Sequence, residues 1–417
     1  MQTNLADFIK DTDEGREAED ILRKCVHCGF CAATCPTYQL LGDELDGPRG
    51  RIYLIKQVLE GQPATAKTQL HLDRCLTCRN CETTCPSGVQ YGRLVDIGRH
   101  IVARQVARPF AERAKRKLLA EGLNSPLFGP AMKLGQAMRW AVPGALKAKV
   151  PEAQDAGLRP APRHARRMLM LEGCVQPSMM PNINNAAVRV LDRLGISLVS
   201  APGAGCCGAV RYHLDYQADG LNDMRRNIDA WWPLVESGQV EALAMTASGC
   251  GVMVKEYEHY LAHDSAYAAK AARVSALTRD LSELVLAEEA ALLPLLQAAA
   301  AKTDAAGRRI AYHPPCTLQH GQQVRGPAER ILTAAGFELV PVEESHLCCG
   351  SAGAYSVLNP EIADQLKQRK LANLEADKPA MILSANIGCL THLQSGTATP
   401  VRHWVEAIDC LLASVHP

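Results

Sequence analysis

The chain has 417 residues, a formal net charge of +1 and 5% aromatic residues, a balance that gives nucleic acid no global handle and leaves little material for a base- or sugar-stacking platform. At this length two to four domains are expected rather than one small core. Seventeen cysteines are the outlier.

The first residues, MQTNLADFIKDTDEGREAED, are acidic and lack the basic and apolar regions of a signal peptide. No run approaches the roughly 18 apolar residues of a spanning helix. A cytoplasmic protein is expected, with peripheral contact at the inner face of the membrane as a variant of that reading. Many thiols in a non-exported chain argue for metal ligation over disulfides.

Residues 20–100 contain one pattern twice. CVHCGFCAATCP carries Cys25, Cys28, Cys31 and Cys35, and CLTCRNCETTCP carries Cys75, Cys78, Cys81 and Cys85. The run C-x2-C-x2-C-x3-C-P is a bacterial iron–sulfur pattern in which three thiolates wrap one cubane and the fourth cysteine ligates the other cluster. Cys25, Cys28, Cys31 and Cys85 are therefore assigned to a first 4Fe–4S centre, and Cys75, Cys78, Cys81 and Cys35 to a second. Zinc needs only four ligands per site and rarely uses this triplet spacing. Between the copies, GPRGRIYLIKQVLEG reads as a helix with Pro48 in its first turn, Ile52, Ile55 and Leu59 on one face and Gly61 ending it. Leu94, Ile97 and Ile101 continue with helical spacing.

Residues 99–167 hold fifteen Lys/Arg against four Asp/Glu, a composition step that marks a connector or docking surface. Its segment PLFGPAMKLGQAMRWAVPGAL has apolar, Trp and basic residues compatible with a membrane interface. Glycine and proline break it into short pieces, which favours a helical connector with a solvated basic face. The prolines of LRPAPRHARR suit a linker.

A second repeat fills residues 167–395. MLMLEGC and RRIAYHPPC each read as a strand running into cysteine, at Cys174 and Cys316. VLDRLGISLV and ILTAAGFELV each read as a helix end, a glycine and a strand. Then come Cys206–Cys207 and Cys348–Cys349, each pair followed by glycine, and the stretches ALAMTASGC and AMILSANIGC read as strands closing at Cys250 and Cys389. Thirty-one residues separate Cys174 from Cys206 and again Cys316 from Cys348, so a duplicated α/β unit is the economical explanation. In an open parallel sheet ligands bind at the carboxyl ends of strands. Cys174, Cys206, Cys207 and Cys250 are then candidates for one further metal centre, and Cys316, Cys348, Cys349 and Cys389 for another.

The stretch GAGCCG, residues 203–208, also fits a dinucleotide-binding loop. That reading needs an acidic residue about 20 positions on, at a strand end. Asp223 has the distance, but LNDMRRNIDAWW reads as helix. The second repeat keeps Cys-Cys-Gly and drops the other glycines, so the duplicated feature is the cysteine pair.

Two iron–sulfur motifs followed by two CCG units resemble the iron–sulfur subunits of flavin-linked, membrane-associated dehydrogenases and of heterodisulfide reductases. CVHCGFCAATCPTYQLLGDELDGPRGRIYLIK and CLTCRNCETTCPSGVQYGRLVDIGR most resemble the glycolate oxidase iron–sulfur subunit family. The resemblance implies an α+β multidomain chain: a helical ferredoxin-like domain with two 4Fe–4S motifs over 1–100, a basic helical connector over 101–165, and CCG domains over 166–300 and 301–417. It implies an electron-transfer subunit of an oxidoreductase, with two 4Fe–4S clusters and an additional iron–sulfur or metal centre in each CCG domain. Its partners would be flavoprotein subunits that oxidise glycolate to glyoxylate and a quinone-type acceptor. The alternatives are a heterodisulfide-reductase-type thiol–disulfide subunit and the iron–sulfur subunit of an anaerobic glycerol-3-phosphate dehydrogenase. CCG domains with disulfide chemistry typically close with C-x-x-C, whereas here Met253 and His392 take the last position. Met253 is a weak ligand and His392 a candidate one.

His27 is expected to face solvent or donate a hydrogen bond near the first centre, and His313, His320 and His346 have loop or metal-tuning readings. Cys410 fits no pattern and is expected to be a buried thiol. No nucleophile–base pair, phosphate loop or flavin loop stands out, so substrate chemistry is expected on a partner.

Overall fold

The computed structural model describes residues 1–141, 144–147, 150–301 and 307–414. Val142 and Pro143 of the PLFGPAMKLGQAMRWAVPGAL segment lie outside the described residues, as do 302–306 and 415–417 in the stretch assigned to the second CCG domain. The chain divides into two compact units, Met1–Lys117 with His346–Lys370, and Leu118–Ser345 with Leu371–Pro417.

The described residues of the first unit form helices and no strand. Helix α1 (Asp13–Lys24) starts at Thr12, whose hydroxyl accepts from the Gly15 amide. It carries Asp13 and Glu14 in its first turn and Arg23 and Lys24 in its last, matching the helix dipole. After it come α2 (Phe30–Ala33), α3 (Pro36–Leu41), α4 (Pro48–Leu59), α5 (Ala66–Asp73), α6 (Asn80–Thr84) and α7 (Tyr91–Gln105). Pro48 occupies the first turn of α4, where its missing amide costs nothing. Ile21 and Leu22 of α1, Ile52, Ile55 and Leu59 of α4, and Leu94, Ile97 and Ile101 of α7 share one buried core, each worth about 1.5–3 kcal/mol in apolar area removed from water. The returning segment is held by polar contacts: the Tyr355 hydroxyl donates to the Arg74 carbonyl at 2.9 Å and Asn80 Nδ2 to the His346 carbonyl at 3.3 Å.

The second unit contains two all-parallel, four-stranded sheets of the same order. In the first, β1 (Arg166–Met170) lies between β2 (Ile196–Val199) and β3 (Leu243–Met245), with β4 (Thr278–Asp280) beyond β3; in the second, β5 (Arg309–His313) lies between β6 (Glu338–Leu339) and β7 (Met381–Ser384), with β8 (Val401–His403) beyond β7. Leu169 pairs with both Val199 and Leu243, and Ile310 with both Leu339 and Met381. The two sheet-bearing repeats are joined by bonds between their helices and strand ends: His403 Nε2 lies 3.0 Å from the Thr246 carbonyl, the Ser248 amide donates to the Ala385 carbonyl at 3.1 Å, and Arg189 on the helix Asn182–Arg193 pairs with Asp409 on the helix Trp404–Ala413 at 2.7 Å.

Several local expectations change. β3 ends at Met245 and β7 at Ser384, and helices begin at Ser248 and Ile387, so Cys250 and Cys389 sit in the first turns of helices and not on strands. β4 and β8 carry no sequence signal because three residues are too few for a periodic pattern. Cys410 is exposed on the helix Trp404–Ala413, which buries Trp404, Val405, Ile408, Leu411 and Leu412 instead. The connector does form helices, Phe110–Gly122 and Phe128–Ala137. Its solvent face is apolar as well as basic: Leu127, Leu134 and Trp140 are exposed, Trp140 at 83%, while Arg139 turns to Glu152. No helix among the described residues is long and apolar enough to cross a membrane.

Candidate functional site

Both cysteine loops start where a helix stops. Cys25 ends α1 in an extended conformation, and Cys75 follows the last turn of α5. Two residues later, at His27 and Thr77, the backbone turns left-handed, and it does so again at Gly29 and Arg79. Successive left-handed turns of this kind build concavities suited to anionic sulfur, and in the second loop the Thr77 amide donates to Cys75 Sγ at 3.4 Å. The third cysteines, Cys31 and Cys81, ride on the short helices α2 and α6. Cys35 precedes Pro36 at the start of α3, and Cys85 ends α6.

The thiols gather in two cavities. Cys25, Cys28, Cys31 and Cys85 line one of about 440 Å³, which Phe30 and Ile52 help to wall. Cys35, Cys75, Cys78 and Cys81 line another of about 300 Å³, together with Arg51 and Tyr91. Cys81 and Tyr91 reach both. Burial, then the neighbouring thiols Cys25, Cys85 and Cys28, push the Cys31 thiol up to about 11. Cys81 is raised in the same way, by burial and then by Cys78, Glu82, Cys75 and Cys35. Left to themselves these thiols keep their protons; four soft donors around one space fit an iron–sulfur cluster, whose binding displaces those protons. The two openings differ, since Cys28 is exposed whereas Cys35, Cys75 and Cys81 are buried.

A third group forms at the carboxyl ends of β1, β2 and β3. Cys174 and Cys207 donate to Cys206 and hold its thiol well below the ordinary range, helped by the Gly208 amide 3.5 Å away and by Arg226. Cys174 and Cys207 rise in exchange, the latter through Cys206 and Cys250. So Cys174, Cys206, Cys207 and Cys250 stand within reach of one another. Two residues the sequence did not single out clamp this loop. Asn227 accepts from the Gly205 amide at 2.8 Å and donates to the Cys206 carbonyl at 2.7 Å, and the Tyr257 hydroxyl donates to the Cys207 carbonyl at 2.9 Å. A polar residue inside an amphipathic helix carries no signal of such a task. Asp223 lies buried on the helix Gln217–Glu236, paired with Arg211 and Arg226, far from the role a nucleotide ribose would require.

Gly208 and its counterpart Gly350 explain why both pairs end in glycine. Their φ angles are +90° and +88°, and a Cβ would come within 2.7 Å and 2.5 Å of the backbone oxygens of Gly220 and Ala363. In each, the glycine amide donates to the first cysteine of its pair, Cys348 Sγ accepting at 3.4 Å. Cys316 and Cys389 belong to the second unit, Cys348 and Cys349 to the first, and all four are buried. Cys316 opens a single π-helical turn after β5, and Asn386 Nδ2 lies 3.8 Å from Cys389 Sγ. His313, His320 and His392 are buried too. Met253 packs in the hydrophobic core around β3. His27 is partly buried with its ring edge toward Tyr53, and burial, then Arg49, lower its pKa.

Residues 21–89 match the family description "4Fe-4S dicluster domain", and residues 168–255 and 310–394 each match "Cysteine-rich domain". The chain is 55% identical to the glycolate oxidase iron–sulfur subunit of Escherichia coli, over 98% of each chain. It is 29% identical to a probable glycolate oxidase iron–sulfur subunit of Bacillus subtilis, over 94% of this chain and 91% of that one. A fumarate reductase (CoM/CoB) subunit of Methanothermobacter marburgensis is 25% identical over 89% of this chain and 68% of its own length.

Proposed function

The chain belongs to the family of glycolate oxidase iron–sulfur subunits, and from that premise we propose that it carries electrons from a partner flavoprotein that oxidises glycolate to glyoxylate. In this reading Cys25, Cys28, Cys31 and Cys85 hold one 4Fe–4S cluster, and Cys75, Cys78, Cys81 and Cys35 hold the second. The observation that carries it is the pairing of each triplet with the other motif's fourth cysteine around two neighbouring cavities. A cluster bound there supplies one-electron storage at a potential set by its surroundings. The chain's own residues hold the cysteines at helix ends, and in the second loop the Thr77 amide donates to Cys75 Sγ. A reduced flavin releases two electrons, so two one-electron stations suit such a donor.

The proposed acceptor is a quinone-type molecule, with the complex peripheral to the inner membrane face. The proposed working divisions are the two-cluster segment 1–100, the connector 101–165 and the CCG domains 166–300 and 301–417. Each CCG domain is proposed to hold a further metal or iron–sulfur centre through Cys174, Cys206, Cys207 and Cys250, and through Cys316, Cys348, Cys349 and Cys389. Direct thiol–disulfide chemistry is the weaker reading, because Met253, at the closing position of the first domain, is packed in the core.

The test is low-temperature EPR on the complex purified anaerobically with its flavoprotein. Cluster signals that appear with glycolate, and not with lactate or glycerol 3-phosphate, are expected. Signals with dithionite alone would retain the clusters and discard glycolate as the electron source.

A further inference from the structure

The two cavities differ in fixed charge. Arg51 lines the second and is 1% exposed. Its Nε donates to the His71 carbonyl at 2.7 Å, Nη1 to Thr37 Oγ1 at 3.1 Å and Nη2 to Asp46 Oδ1 at 3.3 Å. Burial works against its charge, but a guanidinium keeps its proton throughout the ordinary pH range and Asp46 lies beside it, so Arg51 is a fixed cation. Asp46 does not cancel it. The other carboxylate oxygen accepts from Arg74 Nη1 at 2.8 Å, so one anion is shared between two cations. His71 Nδ1, 3.1 Å from Asp46 Oδ1, adds no negative charge. Thr37 Oγ1, held by Arg51, lies 3.3 Å from Cys35 Sγ, and the buried Tyr91 hydroxyl stands beside Cys75. The cation lining the first cavity is Arg49, which is partly exposed and neutralised by Glu44 at 2.6 Å.

Reduction adds one negative charge to a cluster, and a buried cation that shares its only counter-ion with a second arginine stabilises that charge more than a solvated ion pair does. We propose that Arg51 is a positioning residue that raises the potential of the second centre above the first, so that an electron on this chain rests at Cys35, Cys75, Cys78 and Cys81. Electrons then pass in or out through the first centre, beneath exposed Cys28. The proposal rests on the reading that both cysteine sets hold clusters.

The experiment is an anaerobic potentiometric titration of the full chain followed by EPR, the second centre being identified as the signal lost in Cys78→Ser. Arg51→Gln is expected to lower that midpoint enough to change its electron occupancy at least tenfold, 59 mV for one electron, and to move the first centre less. Arg51→Lys, which keeps the charge, should recover most of the shift. Asp46→Asn should move the same midpoint upward, and it serves as the independent variant if Arg51→Gln does not fold. Unchanged midpoints in an iron-loaded Arg51→Gln, equal shifts at both centres, or no upward shift in Asp46→Asn would overturn the proposal. A wild-type chain that carries neither iron nor a cubane signal overturns the underlying cluster reading instead, before any variant is compared.

Discussion

Cys28 and Cys78 occupy matching positions in chemically different places, one exposed and one half-buried. Serine keeps the size of cysteine but is a poor ligand for iron, so Cys28→Ser should remove one cubane, about half of the iron that two clusters hold. Iron analysis of the anaerobic protein checks this, and unchanged iron would remove Cys28 from the ligand set. Cysteine spacing is visible at this scale because loop ligation is a local property of the chain. Arg51, Asn227 and Tyr257 are not visible in the same way. Each looks like an ordinary polar or aromatic residue in a helical stretch, and its task comes from partners brought alongside by packing, such as His71, 20 residues from Arg51, and Cys207, 50 residues from Tyr257.

At the scale of elements, two buried residues link helix capping to pH. His403 caps its helix by accepting from the Val405 amide at Nδ1, which leaves Nε2 to donate to the Thr246 carbonyl. Burial drives its pKa down to about 3 against that bond, from 6.5. Below pH 6.5 the unfolded chain gains a proton that the folded chain refuses, so this group costs about 1.4 kcal/mol per pH unit as pH falls. Asp280 caps the helix Leu281–Ala287, and burial pushes its carboxyl up from 3.8 to about 6 despite the Ser282 hydrogen bonds. Its contribution is present below 3.8 and lost as pH rises through 6, with the opposite slope. The two offset each other between pH 6 and 4. Asp280→Asn should therefore lose about 1.4 kcal/mol between pH 6 and pH 5, and His403→Asn should become relatively more stable over the same interval. Urea denaturation at both pH values measures this; variants with the wild-type slope would refute it. Strands β1, β2, β5 and β7 were legible as apolar runs before cysteine or after glycine. β4 and β8 were not, since each three-residue strand exposes a central arginine.

At the scale of the whole molecule, the helices that carry the eight N-terminal cysteines are completed by His346–Lys370. Tyr355 bonds the Arg74 carbonyl beside Cys75, and Asn359 bonds the Asp73 carbonyl. A truncated Met1–Lys117 should consequently lose iron–sulfur absorbance in air faster than the full chain does. Equal decay rates would show that the returning segment contributes nothing to the sites.

The sequence by itself determined the donor atoms, their spacing and the twice-repeated order of strand, helix and cysteine pair. Those are carried by periodicity, turn glycines and short loops, which act over a few residues. Only the tertiary structure decided the surroundings of the thiols: the Arg51–Asp46–Arg74 frame, the Asn227 and Tyr257 clamp, and the segment 346–370 folded back onto the first unit. These depend on how distant elements pack, and a buried charge has its effect only where packing has removed the water around it.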